Sequence, residues 1–172
     1  KKLNIGFEWK KSASFDEAKF RHEESLRIAC SIIEKFFISQ LGHKEAQKYI
    51  KERKLAIPEN GSFNIGYAPN GNALLGHSRE KGVKTELLEE IGVLKSNDKG
   101  VYDFLRNRLI FPISNAQGQT IAFAGRDISE KPKIKYLNTK ESCIYIKGNE
   151  LYALNAARFT IKNDDKAYIV EG

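Results

Sequence analysis

The chain has 172 residues, 41% of them hydrophobic, with a net charge of +7. That is enough apolar content to bury a core in one domain or a small pair. No apolar run approaches the roughly 18 residues of a membrane span and no signal peptide is present, so a membrane partner is not expected. Cys30 and Cys143 match no zinc or redox spacing and read as reduced thiols of a cytosolic protein.

The chain contains no Met, so Lys1 is not a natural start and the sequence reads as an excised piece of a longer protein. Residues 1–14 carry Lys pairs at both ends and read as a linker. Ser14 with Glu17 makes a capping box, and Asp16 and Glu17 suit the positive end of the following helix. Leu26, Ala29, Cys30, Ile33, Phe36, Phe37 and Leu41 recur at helical spacing, predicting one amphipathic helix over 15–41 that Gly42 ends.

A shorter helix is expected from His43 to Leu55, with Ala46, Tyr49 and Ile50 inward, and Pro58, Asn60 and Gly61 then break the chain. Phe63–Tyr67 is a short apolar piece before the turn signal Pro69-Asn70-Gly71. Two small helices follow at 72–81 and 85–91, the second capped by Thr85 and closed by Gly92.

At Asn97-Asp98-Lys99-Gly100 a turn marks the change to strands. Val101–Phe104 and Leu109–Ile113 are strand candidates, Asn115–Gly118 is a hairpin loop and Gln119–Ala124 the returning strand. A helix is expected at Asn149–Ile161 with Leu151, Leu154 and Ala157 inward. After Asn163–Asp165, the apolar run of Lys166–Val170 resembles a buried parallel strand. The expected divisions are therefore a linker at 1–14, a helical part at 15–97, a basic β-rich part at 98–162 and the opening of an α/β unit at 163–172.

Charge is concentrated in one stretch. From Arg106 to Lys147 there are eight Lys or Arg against three acids, and 8 − 3 = +5 of the chain's +7 lies there. A basic excess on strand-like sequence makes a surface for a polyanion. Arg106 and Arg108, two apart at a strand entrance, are expected to share a face, with Arg126 brought near them across the hairpin and Gly125 leaving room for close approach. Arginine forks suit phosphate. A solvated strand face with surface ion pairs is the competing reading.

Lys131, Lys133 and Lys135 surround Pro132 and lead into Tyr136 and Asn138. Such a loop holds a phosphate chain and stacks a base, as single-strand binders do, or serves only as a solubilising surface. Lys147-Gly148 would stand at a helix N-terminus, which favours anions. His22, His43 and His77 lack partners at ligand spacing and receive no role, and Asp164-Asp165 reads as a surface turn. Glu171, ending an apolar strand, sits where open α/β sheets bind ligands and is a candidate general acid/base or metal ligand.

The series Arg106-Asn-Arg108, Phe111-Pro-Ile113, Gly118, Ile121–Arg126, Lys135–Thr139, Lys147-Gly148 and Leu151–Leu154 resembles the core signature of bacterial DnaG-type DNA primases. Ala46, Tyr49-Ile50, Arg53–Leu55 and Ile65–Pro69 resemble that family's preceding helical part, so the likeness covers roughly residues 15–172. The resemblance implies an α+β piece of the RNA polymerase domain: a helical N-terminal part on a small, basic, mostly antiparallel sheet, ending in the first strand of a toprim fold.

It further implies a nucleotidyltransferase that lays RNA primers on single-stranded DNA from ribonucleoside triphosphates. By resemblance, Arg106, Arg108 and Arg126 line the template and nucleotide groove, with Lys135 (or Lys133), Tyr136, Asn138 and Lys147 near the nucleotide and template. Glu171 would be the catalytic glutamate of the toprim part, with Mg2+ (or Mn2+) held by acids beyond Gly172. Zinc would belong only to a zinc-ribbon domain absent here, and the replicative helicase would bind through regions absent here. Lys140, Ile146 and Ala124 stand where the family usually has proline, histidine and glycine, and Ile134-Lys135 resembles a two-residue lengthening that leaves the choice between Lys133 and Lys135 open. By itself this piece is expected to be inactive, and a non-catalytic module that binds single-stranded DNA or a replication partner is the alternative.

Overall fold

The computed structural model describes residues 16–57 and 63–170. The expected linker, the Ser14 cap, the Pro58–Gly61 break and Glu171 lie outside the described residues. Among the described residues five α-helices and six strands follow in chain order. Helix α1 is Glu17–Ser39, extended by a 3-10 turn at Gln40–Gly42. Its cap is Asp16, whose carboxylate accepts from the Lys19 N–H at 3.0 Å, so the helix starts two residues later than the Ser14 reading requires. The stripe read from its spacing is core: Leu26, Ala29, Cys30, Ile33, Phe36 and Phe37 are buried.

Helix α2 is Lys44–Glu52, β1 is Gly66–Ala68, α3 is Ala73–Glu80 and α4 is Thr85–Ile91. Thr85 is the first helical residue of α4 rather than its cap; Lys84 holds the cap position and makes no side-chain capping bond. Gly92 ends α4 as expected, with φ +86°. The turn at Asp98-Lys99 joins β2, Leu94–Asn97, to β3, Gly100–Asp103. Strand pairing therefore begins before that turn, within the stretch read as helical.

A four-stranded antiparallel sheet carries the rest, in order β1-β4-β5-β6, with β4 at Arg108–Ser114, β5 at Thr120–Asp127 and β6 at Tyr136–Asn138. Alternation divides its two faces. Ala68, Ile110 and Phe123 join the core built on α1, α3 and α4, whereas Tyr67 and Leu109 pack with Ala46 of α2. The α1 side is tight: a Cβ on Gly66 would lie 2.6 Å from backbone and Cβ atoms of Phe37, so only glycine lets the helix rest there.

Asp103 fastens α3 from outside the helix. Buried at the end of β3, it accepts from Leu74 N at 2.8 Å and Leu75 N at 3.0 Å. Burial pushes its carboxyl up, opposed by those two amides and by nearby Arg106.

Two expectations near the C-terminal end are corrected. Helix α5 runs Leu154–Asp164 and buries none of its residues; Leu151 and Leu154 are exposed. It leans on the β4–β5 loop through Arg158, which donates to Ala116 O at 2.9 Å, and through Asn155 against Gly118, so its apolar stripe does not meet the sheet. Residues 166–170 form no strand, because a strand exists only by pairing and no described residue pairs with them; Tyr168, Ile169 and Val170 are exposed. No helix among the described residues is long and apolar enough to cross a membrane.

Candidate nucleic-acid interface

The arginines read together in the sequence separate in space. Asn107 has φ +50°, a left-handed turn that asparagine tolerates, placed immediately before β4. It interrupts the alternation, so Arg106 and Arg108 do not share a strand face. Arg106 is exposed beside α3, donates to Asn72 Oδ1 at 2.5 Å and lies 5.2 Å from the Tyr102 ring centroid.

Arg108 turns inward and is 6% exposed. It pairs with Asp127 at 3.3 Å and donates to the carbonyls of Gly125 at 3.2 Å, Lys135 at 3.3 Å and Ile134 at 3.0 Å. Burial lowers its guanidinium below the ordinary arginine value and Asp127 opposes that shift. The room that Gly125 leaves is filled by Arg108 and Leu105: a Cβ there would sit 3.0 Å from Arg108 Cδ and 3.2 Å from Leu105 Cδ2. Arg108 is thus a rivet between β4, β5 and the 128–135 loop rather than a surface cation.

Arg126 goes the other way. The register pairs Arg108 with Asp127 and Leu109 with Arg126, so the two arginines leave opposite faces. Opposite Arg126 on β6 stands Tyr136. The Arg126 guanidinium lies 4.6 Å from the Tyr136 ring centroid and donates to its hydroxyl. This cation–π plate sits at the sheet edge, with Tyr136 62% exposed.

No local signal in the sequence predicts strand β6. Its three residues hold because Thr139 N donates to Phe123 O at 2.9 Å and its hydroxyl accepts from Phe123 N at 3.1 Å. Asn138 is exposed like Tyr136. Lys133 and Lys135 are exposed as well, and the backbone of Lys135 is fixed because its carbonyl accepts from Asp127 N at 2.9 Å as well as from Arg108. Beside Asn138 a cleft of about 460 Å³ is lined also by Lys95, Ser96, Phe104 and Lys140. Lys95 and this cleft were missed by the sequence reading, since they depend on β2 folding back toward β6.

Lys147 opens a 3-10 turn, Lys147–Asn149, and α5 begins only at Leu154. It therefore does not stand at an α-helix N-terminus, and its own N–H is taken by Glu141 at 2.8 Å. The loop that leads to it is anchored by buried Tyr145, paired with Ser142 through two backbone bonds. Arg126 on β5 and Tyr136 and Asn138 on β6 thus lie together at one edge with Lys135 directly before them; Lys133 is exposed in the preceding loop, and Arg106 and Lys147 stand on separate supports.

The family described as the N-terminal domain of the DNA primase catalytic core matches residues 35–158, more than half of the chain. The DNA primase of Haemophilus influenzae is 36% identical over 91% of this chain, and that of Clostridium acetobutylicum 33% identical over 99%. The chain spans only 27% and 28% of those relatives. Among solved structures, a DnaG primase catalytic domain bound to single-stranded DNA superposes with a TM-score of 0.73 at 30% identity, over 82% of this chain and 47% of that one. The RNA polymerase domain of Mycobacterium tuberculosis DnaG, in complex with a duplex bearing a 6-nucleotide overhang, gives 0.78 at 28% identity, over 87% and 48%. Fold and sequence agree, and the chain belongs to the DNA primase catalytic core N-terminal domain family.

Proposed function

We propose that this chain forms the template- and nucleotide-positioning wall of a DNA primase, a nucleotidyltransferase that makes short RNA primers on single-stranded DNA during bacterial replication, in the cytoplasm. The observation that carries the reading is the Arg126–Tyr136 plate on an open sheet edge, flanked by Lys133, Lys135 and Asn138. A ring offers stacking to bases without sequence preference, while the Arg126 guanidinium on it and the lysines attract the backbone phosphates. Lys135 is the better-placed loop lysine because its own backbone is pinned next to β6, whereas Lys133 lies two residues back. Arg106 and Lys147 extend the basic surface toward ribonucleoside triphosphates and template. Arg108 acts through the loop it holds and is a positioning residue.

Glu171, outside the described residues, is the proposed catalytic carboxylate of a toprim part. Magnesium or manganese would supply charge neutralisation of phosphates there. Magnesium prefers oxygen ligands. Among the described residues the group of three ligand-type side chains is His22, Glu90 and Cys143, whose nitrogen and sulfur donors do not suit it, so no metal-dependent step is assigned to them.

The test pairs binding with activity. Anisotropy of labelled single-stranded DNA across a salt series should show Arg126→Met lowering the log–log salt slope by about 0.7, one phosphate contact's share, and Tyr136→Ala costing about 1–3 kcal/mol per stacked base. In the parent chain, primer synthesis should vanish with Glu171→Gln while template binding persists. Unchanged affinity and slope in Arg126→Met would move the groove elsewhere. Template binding by a parent chain that makes no RNA with either metal would leave a single-strand-binding module instead.

A further inference from the structure

A second cluster lies on supports separate from the plate. His22 on α1, Glu90 on α4 and Cys143 on the loop before Lys147 bring one ligand atom each within 4.8 Å of one another. His22 Nε2 stands 3.0 and 2.9 Å from the two Glu90 oxygens, and the Cys143 thiol donates to Glu90 Oε1 at 3.7 Å. Tetrahedral zinc with bonds of about 2.0–2.3 Å spaces its ligand atoms by about 3.3–3.6 Å. The separations to Glu90 bracket that spacing and the His22–Cys143 separation is within 4.8 Å, so small rotations of side chains open enough to move would admit an ion.

The supports are firm while the ligands are reachable. Leu26, Ala29, Leu88 and Ile91 bind α1 to α4 in one core cluster, and Ile91 directly follows Glu90. Tyr145, buried two residues from Cys143, anchors the loop. His22 and Cys143 themselves are exposed and Glu90 is half-buried, which leaves a fourth position for water. Glu23 adds negative charge near the thiol, and burial together with Glu90 and Glu23 pushes that thiol up from its ordinary value. A cation held there would reverse that balance, because a coordinating thiol is deprotonated outright.

We propose that His22, Glu90 and Cys143 form a three-ligand site for a borderline-soft divalent ion of the zinc class. Imidazole and thiolate select such ions over magnesium or calcium, which demand oxygen. Thiolate and carboxylate together neutralise the charge of the ion. Bound there, it cross-links α1, α4 and the loop that leads to Lys147, so it sets the order of that loop independently of the primase reading.

Cobalt(II) is the probe. Untagged, reduced protein is stripped with chelator, dialysed and titrated with Co2+. The expected result is one ion per chain, with a near-ultraviolet thiolate charge-transfer band and tetrahedral visible bands, both erased by Zn2+ and untouched by Mg2+. Cys143→Ala should remove the charge-transfer band. His22→Ala and Glu90→Gln should each weaken Co2+ binding by at least about tenfold, the scale that even outer-shell partners reach. Circular dichroism confirms that each variant is folded, and Zn2+ should raise the melting temperature of the wild type but not of Cys143→Ala. No thiolate band in the folded wild type overturns the site. So does a band that survives Cys143→Ala, or an affinity indifferent to both His22→Ala and Glu90→Gln.

Discussion

Replacing Arg108 by methionine keeps the aliphatic stem and deletes the guanidinium. Asp127 then loses its partner at 3.3 Å, and the carbonyls of Gly125, Ile134 and Lys135 lose a donor. Breaking a buried ion pair from one side costs about 3–5 kcal/mol. The lower end applies, because the Asp127 side chain is 16% exposed and its Oδ1 still accepts from Ser129 N at 2.9 Å and Ser129 Oγ at 2.6 Å. About 3 kcal/mol corresponds to a fall in Tm of about 6–12 °C for a chain of this size. Calorimetry or thermal circular dichroism measures it, with single-strand binding recorded at a temperature where the variant is folded. The salt slope should match the wild type, unlike that of Arg126→Met. A variant that melts within about 2 °C of wild type and loses about 0.7 from its salt slope would show that Arg108 faces nucleic acid and that the inward rivet is wrong.

Gly66→Ala should cost about 3 kcal/mol, the upper range for overpacking, because the new Cβ meets backbone of Phe37 at 2.6 Å; urea midpoints report it. Asp103→Ala removes both amide bonds at the start of α3 and should cost about 2 kcal/mol, with Asp103→Asn recovering part of it. The folded carboxyl of Asp103 is raised, so the folded state keeps its proton longer than the unfolded one. Wild-type stability relative to Asp103→Asn is therefore greatest below the ordinary carboxylate range and declines as pH rises through the raised value, which paired urea titrations across pH would follow. With chelator present, a chromogenic disulfide reagent should label Cys143 in the folded state and Cys30 only on unfolding, since burial pushes the Cys30 thiol up to about 12; Glu90→Gln should speed the Cys143 reaction.

How much of this was legible depended on whether local chemistry or pairing decided the outcome. The α1 stripe, the Gly92 stop and the Asn115–Gly118 hairpin each follow from nearby residues, and they appear where the spacing puts them. Strand β6 exists only through its ladder with β5 and the Thr139–Phe123 bonds, and its lysine-rich approach reads as loop. The burial of Arg108 was illegible for a similar reason: its partner Asp127 is near only after the hairpin closes. Apolar periodicity in α5 predicts an inward face, yet periodicity names a face without naming what covers it. The Arg126–Tyr136 contact needed the β5–β6 register, which no local signal carries.

A strand reads its residues in a two-beat phase, and one left-handed residue at its entrance, here Asn107, resets the beat. The Arg-Asn-Arg triplet therefore encodes two unlike jobs, one cation sent to solvent beside α3 and one sent into the fold. Comparisons that weigh the two arginines as interchangeable phosphate binders would average a surface contact with a structural one. A substitution at the middle position that refuses the left-handed conformation would shift the phase and disturb both at once, although it touches neither charge.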